Sequence, residues 1–179
     1  HIPNIECKDL SDHFIIPGLI DPHVHLTGGG GEDGPKSRAP EARIDELLSA
    51  GITTAIGVLG TDSISRSLEN LLFKVKSLNS QGLTAFMYTG AYRVPPPTLT
   101  DSVMRDISLI QEVIGLKTAL SDHRSSHMTY AELVRLASDA RIGGMISGKA
   151  GLVHIHMGSE ASKMDLLWDV LDNTCLLYT

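Results

Sequence analysis

Short apolar runs alternate along the chain with longer amphipathic stretches. Five of these runs are rich in isoleucine, valine, leucine or threonine and are almost continuously apolar, which is typical of strands buried on both faces of a sheet. The runs cover residues 14–20, 52–59, 83–88, 113–120 and 151–157. The pattern therefore predicts five β-strands.

The amphipathic stretches between the runs predict helices. An apolar stripe at helical spacing marks residues 65–81, and Thr129 with Glu132 forms a capping box for a helix that ends before Gly143. A proline in the first turn and a glycine after the last support a helix over residues 40–50. Further helices are predicted after Thr100 and over residues 161–171.

Strands that alternate with helices predict an α/β fold with a parallel sheet. The repeat of about 30–40 residues is normal for βα units. Periodicity alone leaves two architectures open, an open doubly wound sheet and a (β/α)₈ barrel. The chemistry at the strand ends has to decide between them.

Composition narrows the function classes. The 179 residues are 42% hydrophobic and carry a net charge of −6 without a lysine or arginine cluster, which argues against a nucleic-acid or anionic-membrane surface. No apolar run of about 18 residues predicts a membrane span. Cys7 and Cys175 lie far apart and residues 1–8 lack a secretory pattern, so a cytoplasmic location is expected. Because the chain opens on His1 and stops just after a helical pattern, we expect it to be truncated at both ends.

Two histidine pairs lie at the ends of predicted strands. His23 and His25 follow the first run, and His154 and His156 close the fifth. Residues i and i+2 of an extended chain point the same way, so each pair can present two imidazoles to one metal. Two polar residues at a strand end are the plainer interpretation. Sites of parallel α/β folds lie at the carboxyl ends of strands, which favours a metal site.

Lys117 interrupts the apolar run at residues 113–120. A lysine near a strand end commonly extends its ammonium to water. The alternative is a buried lysine that has lost its proton, because a buried, unpaired ammonium is costly. A neutral amine can take up CO₂, and the resulting carbamate can bridge two metal ions.

Polar residues in the loops after the strands complete the candidate site. The glycine run at residues 28–31 is a flexible loop, a phosphate cradle without the P-loop ending, or a loop whose backbone approaches a ligand while Glu32 meets a cation. Tyr92 either packs or donates a hydrogen bond to a developing oxyanion. Arg124 is either a surface residue or a clamp for a carboxylate.

At these residues the sequence resembles the isoaspartyl (β-aspartyl) dipeptidases of the amidohydrolase superfamily. The resemblance runs over about residues 15–158 and is carried by PGLIDPHVHL with its GGGGEDGP loop, AGITTAIGVLGTDSISR, MYTGAY, VIGLKTALSDHRSS and RIGGMISGKAGLVHIHMG. The resemblance implies the first five strands of a (β/α)₈ TIM barrel over residues 14–173. It further implies a remnant of a small β domain at 1–13 and a homo-oligomer, with residues 174–179 left as a tail that matches nothing.

The resemblance also implies roles for individual residues. Metal ligands would be His23, His25, Lys117 as the carboxylated lysine, and His156, which together hold two Zn²⁺ ions. Tyr92 would support the carbonyl oxygen, Glu32 would bind the free α-ammonium of a dipeptide and Arg124 a carboxylate, with Gly30 and Thr61 lining the pocket. His154 has no ligand role in the family pattern.

The implied reaction is hydrolysis of the isopeptide bond of β-aspartyl dipeptides by a hydroxide that bridges two metals. The family takes a further histidine from the sixth strand and an aspartate from the eighth, so we expect this piece to be inactive alone. The alternatives are a cyclic-amide amidohydrolase of the dihydroorotase or hydantoinase kind and a non-catalytic scaffold on the same fold. Glu32 and Arg124 argue against the first, and the retained ligand positions argue against the second.

Overall fold

The computed structural model describes residues 8–176, which form one parallel sheet covered by helices. The sheet contains β1 (Leu19–Val24), β2 (Ile52–Gly57), β3 (Thr84–Gly90), β4 (Val113–Leu120) and β5 (Leu152–Met157). The connecting helices are α1 (Ile44–Ser49), α2 (Leu68–Ser80), α3 (Val103–Leu109) and α4 (Tyr130–Ser147), and α5 (Asp165–Asn173) follows β5.

The strands lie in chain order, β1-β2-β3-β4-β5, and every neighbouring pair is parallel. In a flat sheet the first and fifth strands would be about 19 Å apart. Here His23 on β1 and His154 on β5 touch, with Nδ1 and Nε2 separated by 2.8 Å. The sheet is therefore curled into a half-barrel, which confirms the predicted partial (β/α)₈ fold over the open doubly wound alternative.

Two hydrophobic clusters lie on opposite faces of the sheet. The larger cluster packs the helices against the strands, with Leu71 and Val75 of α2 and Ile107 of α3 fully buried. The smaller cluster consists of Ile56 on β2, Val58 just after β2, and Tyr88 on β3. The helices thus form the outer layer, and the concave inner face carries the polar residues of the strand ends.

The predicted strands match the structure best at β4 and β5. β4 has the predicted bounds and β5 begins one residue later, whereas β2 ends two residues earlier and β3 is shifted at both ends. The prediction for β1 was wrong, because the strand begins at Leu19 and includes His23. Phe14 and Ile15 are exposed and lie outside any strand, so the apolar run there does not mark buried β structure.

The helix predictions also need correction. α2 begins at Leu68 rather than at residue 65, and α5 spans Asp165–Asn173 rather than residues 161–171. Pro40 precedes α1 rather than opening it, and Ser102 rather than Thr100 caps α3 through the Arg105 amide. The capping box of Thr129 is confirmed, but α4 continues through Gly143 to a left-handed cap at Gly148. A Cβ on Gly143 would lie 3.0 Å from Ile107, so this glycine permits close packing of α3 on α4.

The predicted domain boundaries at 13/14 and 173/174 stay predictions, and residues 1–7 and 177–179 lie outside the described part of the chain. Residues 8–13 are exposed and form a turn. Between residues 8 and 176, no helix is both long and apolar enough to cross a membrane.

Candidate metal and substrate site

The predicted site residues gather at the carboxyl edge of the half-barrel. His23 lies on β1 and His25 just after it, with their ring centroids 5.3 Å apart. Lys117 and His156 lie on the neighbouring strands β4 and β5. A cleft of about 250 Å³ opens at this edge, and its lining includes His23, His25, Gly30, Glu32, Thr61, Tyr92, Arg124 and His156.

Lys117 is fully buried, with 0% of its surface exposed, so its side chain does not extend to water. Its Nζ has no hydrogen-bond partner and lies 5.4 Å from the centroid of the Tyr92 ring. Burial lowers the pKa of the Lys117 ammonium to about 8, because desolvation disfavours the charged form. At pH 7 the amine is therefore mostly protonated, and on the order of a tenth of it is neutral.

Three histidines beside the cleft, His23, His25 and His154, favour the neutral form. Burial, followed by the charge of Lys117, lowers the pKa of His23 to about 4 and lowers the pKa of His25 and His154 as well. His154 stacks on Tyr88 and contacts His23, although the family resemblance assigns it no ligand role. Neutral imidazoles suit metal binding, because a ligating nitrogen must carry a free lone pair.

Asp122 ties Arg124 and His156 together. Its buried carboxylate accepts two parallel bonds from Arg124, at 2.8 Å from Nε and 2.7 Å from Nη2, and lies 2.8 Å from Nε2 of His156. The bonds from Arg124 hold the pKa of the Asp122 carboxyl well below its usual range. The guanidinium of Arg124 is therefore held in place beside the cleft by Asp122, and Arg124 is not a free surface arginine.

Glu32 and Arg124 contact each other across the cleft. Arg124 Nη1 lies 2.9 Å from both carboxylate oxygens of Glu32, and the Thr61 hydroxyl donates to Oε1 at 2.8 Å. The hydrogen bond from Thr61, with those from Arg124, lowers the pKa of Glu32. The residues predicted to bind the two opposite charges of a substrate thus neutralise one another in this structure.

Tyr92 lies between these groups. Its ring is 4.8 Å from the ring of His156 and 5.4 Å from the Arg124 guanidinium. Burial raises the pKa of the Tyr92 hydroxyl to about 12, so the hydroxyl stays protonated. A protonated phenol beside the metal-competent residues can donate a hydrogen bond to an oxyanion.

The glycine run is a folded loop. Gly28 and Gly30 have φ angles of +86° and +67°, and a Cβ at either position would lie within 2.5 Å of a carbonyl oxygen of residues 37–39. The loop folds back on that segment, and its carbonyls surround the side chain of Arg66. The loop therefore approaches its own returning segment closely, and the predicted approach of its backbone to a ligand stays a prediction.

Sequence reasoning assigned no role to Arg66 or Asp122, although both lie within the motifs that carry the resemblance. Arg66 is 4% exposed, and Asp122 follows β4 directly. The only signal in the sequence was a charged residue close behind an apolar run. That signal does not reveal which partners the side chain binds.

The residues present fit a metal site only if Lys117 contributes. Among residues 8–176, no three histidine, cysteine or carboxylate side chains lie together in a group able to hold a metal ion. Lys117 supplies the missing oxygen ligands if its neutral, unpartnered amine is carboxylated. The buried Nζ without a partner is the observation that favours this fit.

Comparison with known proteins supports the family resemblance. No family model matches the chain. The β-aspartyl dipeptidase of the thermophilic, keratin-degrading Fervidobacterium islandicum AW-1 is 57% identical over 89% of this chain, with a TM-score of 0.87. The same figures hold for a structure of that protein in complex with a β-Asp-Leu dipeptide. The match covers 44% and 43% of those chains, so this chain spans less than half the length of the structures that it matches. In sequence and fold, the chain belongs to the β-aspartyl (isoaspartyl) dipeptidase family.

Proposed function

We propose that this chain supplies the first half of an active site that hydrolyses β-aspartyl dipeptides, with two zinc ions held at the carboxyl edge of the barrel. The observation that carries the proposal is Lys117, a fully buried amine with a lowered pKa and no hydrogen-bond partner. The neutral amine adds to CO₂ and releases one proton, which leaves a carbamate in place of the ammonium. That change replaces an unfavourable buried cation by an anion that metal ions stabilise.

His23, His25 and His156, together with the carbamate on Lys117, would hold the metals. Zinc held there would supply a Lewis acid for the scissile carbonyl and would lower the pKa of water toward neutrality. Imidazole and carboxylate-type oxygen ligands suit zinc. Tyr92 donates its hydroxyl proton as a hydrogen bond to the carbonyl oxygen while negative charge develops there.

Glu32 and Arg124 give the site its preference for a zwitterion. The free α-ammonium of the substrate binds the carboxylate of Glu32, and a substrate carboxylate binds the guanidinium of Arg124. Both contacts replace the ion pair that now joins the two residues at 2.9 Å. Because Glu32 is about half exposed, this pair is partly screened by water and exchanges readily for a ligand.

The neighbour that binds a β-Asp-Leu dipeptide supports this substrate class. The test requires a complete-barrel protein, by which we mean these residues within a whole (β/α)₈ barrel. We expect it to contain zinc and to hydrolyse β-Asp-Leu but neither the α-linked isomer nor dihydroorotate. Turnover of the cyclic amide alone would support a cyclic-amide amidohydrolase. A metal-free protein without turnover would support a scaffold.

A further inference from the structure

We propose that Arg66 is a positioning residue, which locks the glycine loop of residues 28–31 to the β2–α2 loop and thereby sets the place of Glu32 in the cleft. The inference rests on the proposed function for the role of Glu32. Arg66 itself does not contact the substrate in this proposal. Its effect on binding passes through the backbone of the loop that it holds.

All five N–H donors of the Arg66 guanidinium are engaged. Nε donates to the Thr27 carbonyl at 3.1 Å, and Nη2 donates to the carbonyls of Gly29 and Ala39 at 2.9 and 3.1 Å. Nη1 donates to the Asp62 carboxylate at 3.2 Å and to the Gly30 carbonyl at 3.5 Å. Only an arginine offers five donors in a fixed plane, since a lysine has three on one atom.

The backbone acceptors of Arg66 belong to the two sides of the glycine loop. Gly29 and Gly30 lie on the outgoing side and Ala39 on the returning side, where the Ala39 amide also donates to the Gly29 carbonyl at 2.8 Å. The guanidinium therefore closes the base of the loop. Glu32 lies two residues beyond Gly30, so a shift of the base moves its carboxylate.

The same contact joins the two loops that hold Glu32. Arg66 and its partner Asp62 follow Thr61 in the β2–α2 loop, and Thr61 donates to Glu32. Removal of Arg66 would leave four carbonyls with fewer donors and separate the loop that carries Glu32 from the loop that orients it. Because near-angstrom displacements of binding groups weaken productive binding strongly, we expect a specific loss toward ligands that use Glu32.

The experiment compares Arg66→Lys in the complete-barrel protein with Arg43→Lys as a control. Arg43 is exposed, and its guanidinium bonds the carboxylate of Asp45. Two ligands distinguish a displacement of Glu32 by the glycine loop from a general loss of structure. One is β-Asp-Leu, and the other is succinyl-leucine, which has the same skeleton without the α-ammonium. KM and kcat are measured for the first and an inhibition constant for the second, together with hydrogen exchange of the Ala39 amide.

In Arg66→Lys we expect KM for β-Asp-Leu to rise by up to about 100-fold, while kcat and the inhibition constant of succinyl-leucine change less than about threefold. The Ala39 amide should exchange at least about tenfold faster, with the strand amides unchanged. Millimolar ethylguanidinium should lower KM again in Arg66→Ala. Arg43→Lys should match the unaltered protein in every measurement.

Unchanged exchange at Ala39, equal losses for both ligands, or faster exchange throughout the barrel would each overturn the proposal. The last two results mark a general structural role instead. If the unaltered protein neither hydrolyses nor binds β-Asp-Leu, the proposed function fails. The exchange of Ala39 still decides whether Arg66 holds the loop.

Discussion

Two cations are buried near the cleft, and their surroundings differ sharply. Arg66 is 4% exposed, and every one of its N–H donors meets an oxygen. Lys117 is 0% exposed, and its Nζ meets none. A third cation, Lys149, resembles Arg66, because its half-buried Nζ donates to the carbonyls of Ile107, Ile110 and Val113.

The comparison separates a cation that organises backbone from one that is available for chemistry. Carbonyl oxygens around a buried ion offset the loss of its hydration, and they fix the chain that carries them. A buried amine without such oxygens releases its proton readily and is free to react. The surroundings of Lys117, rather than its burial alone, therefore distinguish it from Arg66 and Lys149.

The largest expected effect comes from removal of the reactive amine. Lys117→Ala in the complete-barrel protein should lower turnover of β-Asp-Leu by roughly 1000-fold or more and reduce bound metal, because the bridging ligand is lost. Acetate or propionate should partly restore both quantities by filling the vacated space with a carboxylate. Full metal occupancy and near-normal turnover in this variant would eliminate the bridging role.

Removal of Arg66, whose N–H donors are all bonded, should instead lower the free energy of unfolding. Arg66→Met in this chain should lower the free energy of unfolding by roughly 2–4 kcal/mol, because several carbonyls and the carboxylate of Asp62 lose their donors. Urea denaturation provides the measurement. Arg43→Met, which removes an exposed arginine, should stay within about 0.5 kcal/mol. Similar losses in both variants would show that the buried contacts contribute little.

Glu32 lies between the two regions, on the loop that Arg66 holds and in the cleft near the metal-competent residues. Glu32→Gln in the complete-barrel protein should raise KM for β-Asp-Leu by about 10- to 100-fold, because a charge-assisted bond to the α-ammonium is lost. A version of the dipeptide acetylated on the α-nitrogen lacks that charge and should be affected far less. An equal loss on both substrates would assign Glu32 a different task.

The smallest expected effect has the opposite sign to that of Arg66→Met. Lys117→Met should raise the free energy of unfolding of the metal-free chain by about 1–2 kcal/mol at pH 7, because a buried, unpartnered cation is removed. Denaturation in CO₂-free buffer measures it. A destabilised variant would mean that the ammonium has partners after all.

The difference in unfolding free energy between the Lys117→Met variant and the original chain should also depend on pH. The pKa of Lys117 is lowered from 10.5 to about 8 in the folded chain, so between these values the unfolded chain binds the proton and the folded chain does not. The original chain therefore gains stability as pH rises through this range, and the difference between the two chains shrinks. A constant difference from pH 7 to pH 10 would contradict the lowered pKa.

The sequence predicted strand bounds best where a strand is buried on both faces of the sheet. β4 is covered on both faces, so its apolar run has the length of the strand. β1 does not show this pattern, because it carries the polar residues Asp21 and His23 together with Pro22, while the apolar residues before it are exposed. The end of α4 was misplaced because Gly143 serves the contact with α3 rather than a helix cap.

The site was predictable as a set of residue types but not as a set of contacts. Histidines at strand ends and a lysine in an apolar run identify themselves by position. The ion pair of Glu32 with Arg124 joins residues 92 positions apart, which no local pattern encodes. The bonds of Arg66 end mostly on backbone carbonyls, and these are the same for every amino acid, so the side-chain sequence cannot reveal them.

The chain-order arrangement of the strands also has a consequence for biosynthesis. Each new strand docks beside the one made just before it, so the sheet can grow as the polypeptide emerges. His23 and His25 are made first, whereas Lys117 follows on β4 and His156 on β5. A nascent chain that has completed only β3 therefore offers His23 and His25 alone among the proposed metal ligands. In the proposed metal site, capture of metal during synthesis would thus be weak, and tight loading would wait until the fifth strand is in place.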